Sequence, residues 1–337
     1  MTPPSSHRQR PPVRATVLFL AYNQAAFVEQ AARSVLEQAC EPLEILLSDD
    51  ASTDGTFDIL QRLADAYAGP HFVRARRNEH NVGIGDHYNR LVQEAAGELL
   101  VTAAGDDVSV PHRVARLLAA WDAHAQRPDL IASHLVDMTY DGALRSTIEV
   151  DDLTRWPDAA AWAEKRPYIV GAGHAFTKRL WNLFGPMSSD IVYEDQVITL
   201  RAILAGGGIT VAEPLVHYRR GGASALHTFE STAAFLHRTR LVNQRARAEQ
   251  AQLLADARHT NREDTVRAGL QLHIQREALI AALLDACHPA DTLRALTAAS
   301  AVGWPWRLRK WLYLRCPGVG TGVRRLQYGL KQLRRGR

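Results

Sequence analysis

Two adjacent carboxylates, Asp106 and Asp107, close an apolar run in "LLVTAAGDDVSVPHR", residues 99–113. Side by side they repel, so the position calls for a nearby positive charge or for open water. A divalent cation, Mg²⁺ or Mn²⁺, held by one or two carboxylates plus substrate phosphates would supply that charge; a solvated loop is the plainer alternative. Three more polar clusters carry similar questions. "SDDASTDGT", residues 48–56, sets Asp49 and Asp50 ahead of Thr53 and Asp54, either of which suits a helix N-cap. The two leading acids precede the cap and could accept hydrogen bonds from a pyrimidine imide N–H or from ribose hydroxyls. "RNEHNVGIGDHYN", residues 77–89, brings two glycines to a helix start, where backbone N–H groups could face an anion, though without GxGxxG or GxxxxGKS spacing. "YEDQ" places Glu194 and Asp195 at the front of a helix, stabilised there by the dipole or serving as general base toward a hydroxyl. "HYRRGGAS" adds His217, Arg219 and Arg220, a surface cluster or a clamp for a diphosphate leaving group. His174 in "GAGHAF" reads as a packed or surface histidine.

These residues need elements that deliver them to one place. "ATVLFLAYN" reads as a strand and "QAAFVEQAARSVLEQA" as a helix, with Phe27, Ala31, Val35 and Ala39 at helical spacing. "LEILLSDD", "FVRARRN" and "GELLVTAAGDD" are three further strands, and "DGTFDILQRLADAYA" and "GDHYNRLVQEAA" the helices between them. Pro111 opens another helix, "PHRVARLLAAWDAHA", where a missing N–H costs nothing. Alternation at this spacing predicts right-handed βαβ units on a parallel sheet, whose ligands bind beyond the carboxyl ends of the strands. The ends of the four strands carry Tyr22 and Asn23, Asp49 and Asp50, Asn78 to Gly85, and Asp106 and Asp107, which should form one site. After residue 129 the pattern loosens into a hairpin turning at Asp141-Gly142, a strand into a short helix over "PYIVGAGHAFTKRLWNLFG", a helix from about Glu194 to Ala205, and a strand or two. Beyond Ala223 the chain reads as helical and rich in Arg and Ala.

The 337 residues suffice for one large domain and an appendage, and 46% apolar with 23% charged residues is ordinary for a soluble globular protein. No apolar run approaches the ~20 residues that a spanning helix needs. The opening residues 1–12 are polar and Pro-rich, a floppy leader without the apolar stretch of a signal peptide. Cys40, Cys287 and Cys316 lie far apart, which argues against a disulfide framework or zinc site and fits a reducing cytoplasm.

Taken together, "AYN", "SDDASTDGT", "NEHNVGIGDHYN", "GELLVTAAGDD", Pro111 and the later "ED" resemble the family 2 glycosyltransferases, inverting enzymes of GT-A fold that include makers of bacterial cell-surface polysaccharide. The resemblance implies an α/β fold, a mainly parallel Rossmann-like sheet flanked by helices over residues 13–222, with a helical C-terminal region over residues 223–337. It implies nucleotide-sugar contacts from Ala21, Asn23, Asp49, Asp50, Asn81, Gly83, Asp106, Asp107, Glu194 and Arg219, with UDP or dTDP ahead of GDP. Mg²⁺ or Mn²⁺ is expected on Asp106 with His217, and the general base is Asp195, acting on a hydroxyl of a glycan or lipid-linked acceptor. One departure stands out: the family motif is often written Asp-x-Asp, whereas Ala104 occupies its first position here. A sugar-phosphate nucleotidyltransferase would carry a Gly- and Arg/Lys-rich loop after the first strand, and "LAYNQAAF" lacks one. A non-catalytic sugar-nucleotide-binding protein would not need Asp195, and a dehydrogenase would show GxGxxG after the first strand.

The net charge of +4 hides an asymmetry, because residues 301–337 hold ten Lys or Arg and no Asp or Glu. Within them "GWPWRLRKWLYLRC" interleaves Trp304, Trp306 and Trp311 with Arg307, Arg309, Lys310 and Arg315. That pattern suits a helix lying in the headgroups of an acidic membrane, at the inner face of the cytoplasmic membrane. The alternative is an appendage packed on the catalytic domain or on a second copy as a homodimer. Nucleic acid is disfavoured, since its enzymes spread positive charge around the active cleft.

Overall fold

The structure, a computed structural model, describes residues 12–220 and 231–316. Its first half follows the alternation in the sequence: β1 (Ala15–Ala21), α1 (Val28–Leu36), β2 (Glu44–Asp49), α2 (Thr56–Asp65), β3 (Phe72–Arg77), α3 (Gly83–Glu94), β4 (Leu99–Ala104), β5 (Val108–Ser109) and α4 (Arg113–Ala123). Then come β6 (Leu130–Met138), β7 (Leu144–Ile148), α5 (Ala159–Glu164), β8 (His174–Thr177), α6 (Lys178–Phe184), α7 (Glu194–Leu204) and β9 (Gly208–Arg219). Four helices close the described chain: α8 (Thr232–His259), α9 (Glu263–Asp285), α10 (Pro289–Ala298) and α11 (Trp304–Arg315).

The strands form one sheet in the order β3-β2-β1-β4-β8-β6-β9-β5, with β7 paired to β6. From β3 to β4 every ladder is parallel, and Ala21 stands beside Asp49, which stands beside Arg77, with Leu20 beside Ala104. The polar clusters that end these strands therefore come out level. The chain moves outward through β1, β2 and β3, then returns to place β4 on the other side of β1, so a crevice opens between the ends of β1 and β4. Beyond β4 the sheet is mixed, not parallel: β8 runs against β4 and β6, and β5 against β9, while β6 and β9 are parallel. Short hairpin and turn connections in this half permit antiparallel pairing, whereas a parallel pair needs a long crossover.

Alternation along the buried strands feeds two cores. Leu18, Leu46 and Leu100 point to one layer with Tyr88, Trp162 and Ile198. Val17, Phe19, Ile45, Leu47 and Val101 point to the other, under α1, α2 and α4. The hairpin at residues 141–142 forms as expected, with Gly142 at φ +91°. Three local expectations change. α4 starts at Arg113, not Pro111, because the Pro111 carbonyl accepts from Ala39 N (2.7 Å) and the Arg113 amide closes a turn on Val110. The expected strand over "PYIVGAG" begins only at His174, after a 3₁₀ turn at residues 171–173. The segment after residue 207 is a single strand, β9, whose register slips near Pro214, a residue with no N–H for the ladder.

The change of composition near residue 223 is not a break in packing. Leu253, Ala257, Val266 and Leu270 of α8 and α9 belong to the same core as Leu18 and Ile198. The buried Arg201 of α7 pairs with Asp256 of α8 at 2.7 Å and lies against the rings of Trp181 and Phe184. α10 and α11 share a smaller core with Phe235, Leu279 and Leu283, into which Trp306 and Trp311 partly insert. Among the described residues no helix is long and apolar enough to cross a membrane. The leader up to residue 11, the glycines of "HYRRGGAS" and the tail beyond residue 316 lie outside the described residues.

Candidate active site

A cleft of about 980 Å³ opens at the crevice between β1 and β4. Its floor includes Ala21, Tyr22 and Gln24 after β1, Asp50 after β2, Asn81 and Gly83 before α3, and Ala103 and Ala104 of β4. The acids after β2 have distinct tasks. Asp49 is fully buried and does not line the cleft: its carboxylate accepts from Ser52 N (2.9 Å) and Ser52 Oγ and pairs with Arg77 Nε at 3.2 Å, locking the turn. Asn23, at φ +51°, ties the β1 loop to that turn, its amide donating to Ser52 Oγ (2.8 Å) and its Oδ1 accepting from Thr53 N (2.9 Å). Asp50 faces the cleft, and its oxygens accept from Asn78 Nδ2 (2.7 Å), Val82 N (3.0 Å) and Gly83 N (3.0 Å). The amides at the start of α3, read from sequence as a cradle for a ligand anion, are thus occupied by Asp50 itself. Gly83 sits at φ +78°, a conformation that a side chain would strain. Neither Thr53 nor Asp54 is the N-cap of α2, which is Gly55 without a side-chain cap bond; Asp54, one residue ahead of it, accepts from Thr56 N (3.1 Å).

Asp106 and Asp107 occupy the turn from β4 to β5. Asp107 is buried and accepts the amide of Arg219 at 2.8 Å, while the fully buried Arg113 lies within electrostatic reach. Burial holds Asp106 above the usual carboxylate range, and burial with the neighbouring Asp106 charge lifts Asp107 further. A cation is the natural remedy, and two carboxylates are the usual protein share of a Mg²⁺ or Mn²⁺ site completed by substrate phosphates and water, so the donor set fits. Among the described residues no group of three or more His, Cys, Asp or Glu assembles into a metal cage, so His217 does not complete one with the two acids. His217 stands opposite Val108 on β9. Arg219, read as a diphosphate clamp, is spent on the protein: Nε donates to Asp106 O (2.9 Å), Nη1 to Tyr140 O (2.9 Å) and Nη2 to Gln30 Oε1 (2.8 Å), above the Phe27 ring. It braces the acidic turn. Arg220 pairs with Asp137.

Glu194 and Asp195 open α7 at another wall. Glu194 lines the cleft and is buried; Asp195, half-buried, accepts from Gln196 N at 2.8 Å and from the Gly171 amide. Gly171 also leaves room for the neighbouring acid, because a Cβ there would lie 2.7 Å from Glu194 Oε1. Burial and the adjacent Asp195 push Glu194 up to about 8, whereas burial, offset by the two amide hydrogen bonds, leaves Asp195 at about 6. At neutral pH the pair is therefore one carboxylic acid and one carboxylate, an environment-driven split typical of assigned acid and base roles. His174 is wholly buried beside Phe176 with neither ring nitrogen bonded, a packed residue held neutral by burial.

Several cleft residues escaped the sequence reading. Tyr88 and His87 of α3 and residues 189–192 line it, as do Leu241, Gln244 and Arg245 of α8. The α3 pair lies inside the motif "NEHNVGIGDHYN"; the α8 residues carry no signal in the sequence, since helical spacing alone does not say what a helix packs against.

Residues 16–128 match the family model Glycosyl transferase family 2. EpsE of Bacillus subtilis (strain 168), named as a glycosyltransferase, is 29% identical over 111 residues, covering 33% of this chain and 39% of its own length. Chondroitin synthase of Escherichia coli is 27% identical over 186 residues, 54% of this chain and 26% of its own. The chain thus spans less than two fifths of the length of these relatives. Among solved structures, S. aureus TarS 1–349 in complex with UDP superposes with a TM-score of 0.52 at 17% identity, covering 90% of this chain and 87% of that one. With the motifs in family order on a sheet of this topology, residues 16–128 are a glycosyl transferase family 2 domain and the chain has the GT-A fold.

Proposed function

We propose that the protein is an inverting glycosyltransferase that moves a sugar from a nucleotide diphosphate sugar to a hydroxyl of a glycan or lipid-linked acceptor. The carrying observation is that one cleft runs from Asp50 to Glu194, with Asp195 beside it as the ionised member of a split pair. Ala21, Asp50, Asn81 and Gly83 border the space for the nucleotide, and Asn23 and Asp49 act on it through the turn that they lock. Asp195 takes the acceptor proton as the acceptor oxygen bonds to the anomeric carbon, opposite the departing diphosphate, which inverts that centre. Asp106 and Asp107 would hold Mg²⁺ or Mn²⁺, which when bound stabilises the charge growing on the leaving group. Arg219 keeps both acids in place. A sugar-phosphate nucleotidyltransferase has no use for the paired acids of α7, and a mere binder has no use for their split. UDP- and dTDP-sugars stand ahead of GDP-sugars, and UDP is the ligand of the TarS structure. A thermal-shift screen of all three, with and without Mn²⁺, tests this reading. A UDP- or dTDP-sugar at about 100 times its Kd should stabilise the fold by about 2.7 kcal/mol, and at one fixed donor concentration the stabilisation should be larger with the cation than without. No response to any donor overturns the assignment.

We also propose that α11 rests on an acidic lipid surface. Trp304, Leu308 and Leu312 recur every fourth residue and are 49%, 46% and 49% exposed, while Trp306, Trp311 and Leu314 face the small core behind them. Arg309 and Arg315 flank the exposed stripe, and the absence of acids from residues 301–337 makes anionic headgroups its complement. Each cation near such a surface adds about 1 kcal/mol. The full chain should pellet with phosphatidylcholine vesicles containing a third phosphatidylglycerol, lose this in high salt, and lose it when Trp304, Leu308 and Leu312 are all replaced by Glu. Equal pelleting of that variant, or a stripe-dependent dimer without pelleting, overturns the proposal.

A further inference from the structure

Arg245 is the one Lys or Arg among the described residues that line the cleft, and it is half-buried there. Its neighbours are committed elsewhere. Arg166 pairs with Glu249 (2.9 Å), Arg201 with Asp256 (2.7 Å), Arg240 with Asp285 (2.7 Å) and Arg258 with Glu263 (2.7 Å), while Arg238 and Arg247 are exposed. Among the described residues nothing bonds or pairs with the Arg245 guanidinium. A partly desolvated, unpaired cation on a functional wall calls for an anion from outside the protein.

Its place on α8 says which substrate brings that anion. Residues 245, 249 and 256 follow one face of the helix, and Glu249, one turn beyond Arg245, lies close enough to Asp195 for its charge to be felt there. α8 is held rigidly against this wall by the buried Arg201–Asp256 pair and by Ser188 N donating to Gln252 Oε1 at 3.0 Å. Leu241, Gln244 and Arg245 thus flank the approach to the base, where the attacking hydroxyl must enter. The donor's diphosphate belongs instead with Asp106 and Asp107, neither of which is on the α8 wall.

We propose that Arg245 binds a carboxylate or phosphate carried by the acceptor, making it a specificity residue for an anionic acceptor. This rests on the transferase reading. The fork of the guanidinium suits both oxyanions, and a charge-assisted pair of this kind corresponds to about 10- to 100-fold in kcat/KM.

The test uses the full chain, a donor found by the thermal-shift screen, and acceptors matched except for one charge: a methyl hexoside, its uronide and its 6-phosphate. The wild type should favour one or both charged acceptors by about 10-fold or more, and the favoured arm tells carboxylate from phosphate. Arg245→Gln should bring the charged-to-neutral ratio of kcat/KM close to one, and Arg245→Lys should restore part of it. The donor Kd by calorimetry should change less than about twofold between variants, and thermal melting checks that each variant folds. A raised donor Kd with an unchanged acceptor ratio overturns the proposal, as does a wild type indifferent to acceptor charge. Absence of transfer to every acceptor, from every donor, overturns the transferase reading itself.

Discussion

Replacing Asp195 with Asn should lower kcat by about 10²- to 10⁴-fold, the range for loss of a positioned general base, while the donor Kd stays within about twofold. Glu194→Gln should cost far less at neutral pH. Burial and the Asp195 charge hold Glu194 protonated up to about 8, so the neutral amide replaces a group already neutral. The pH profile supplies an independent check. Asp195 must be deprotonated to accept a proton, so kcat/KM should fall on the acid side through an apparent pKa of about 6, tenfold per unit below it. Because the two acids interact, this limb belongs to the pair, and it should persist in Glu194→Gln but vanish in the residual rate of Asp195→Asn. The reverse pattern, a limb near 8 and an inactive Glu194→Gln, would assign the base to Glu194, the residue that lines the cleft.

Asp106→Asn should make the unliganded protein more stable and a far poorer enzyme. Burial raises the carboxyls of both Asp106 and Asp107, and the charge on Asp106 raises Asp107 further. A carboxyl whose folded pKa is raised stabilises least when ionised, so its cost is absent at acid pH and present at neutral pH. Removing one charge of the pair lifts that cost, and the thermal midpoint without ligand should rise at neutral pH and converge with the wild type as the pH falls toward the ordinary carboxylate range. The same change should abolish the extra stabilisation that Mn²⁺ gives to donor binding. It should reduce kcat/KM by about 10²-fold or more, the scale of several kcal/mol of lost Lewis-acid assistance. Strain kept at a site for the sake of a ligand is a familiar exchange of stability for activity. A lower midpoint in Asp106→Asn would show that the acid serves the fold, and unchanged Mn²⁺ dependence would remove it from the cation site.

The parallel half of the sheet was legible because its determinants are local. Apolar runs such as "ATVLFLA" and "EILLSD" have the shortness and composition of buried strands, and the helices between them repeat their apolar residues along one face. The level ends of β1, β2 and β4 follow from parallel register, which is why the clusters at Tyr22, Asp50 and Asp106 could be assigned to one region from spacing alone. Beyond β4 that logic stops, since hairpin strands such as β7 are exposed and short pieces such as β8 take their place from neighbours distant in sequence.

By itself the sequence determined which residue types stand at the strand ends, the helical character expected beyond Ala223 and present in the described residues from Thr232 to Arg315, and the acid-free, Trp-bearing tail. Only the tertiary structure decided what each polar group has left for a ligand. Asp49, next to the cleft residue Asp50, and Arg219, in a motif whose described residues stay off the cleft, spend their hydrogen bonds inside the protein; Asp50 caps α3 while facing the cleft, and Arg245, in no motif, faces the cleft with none made among the described residues. A motif records composition along a line; whether a charge is satisfied depends on partners tens or hundreds of residues away, brought close by the burial of apolar faces that carry no information about the chemistry between them.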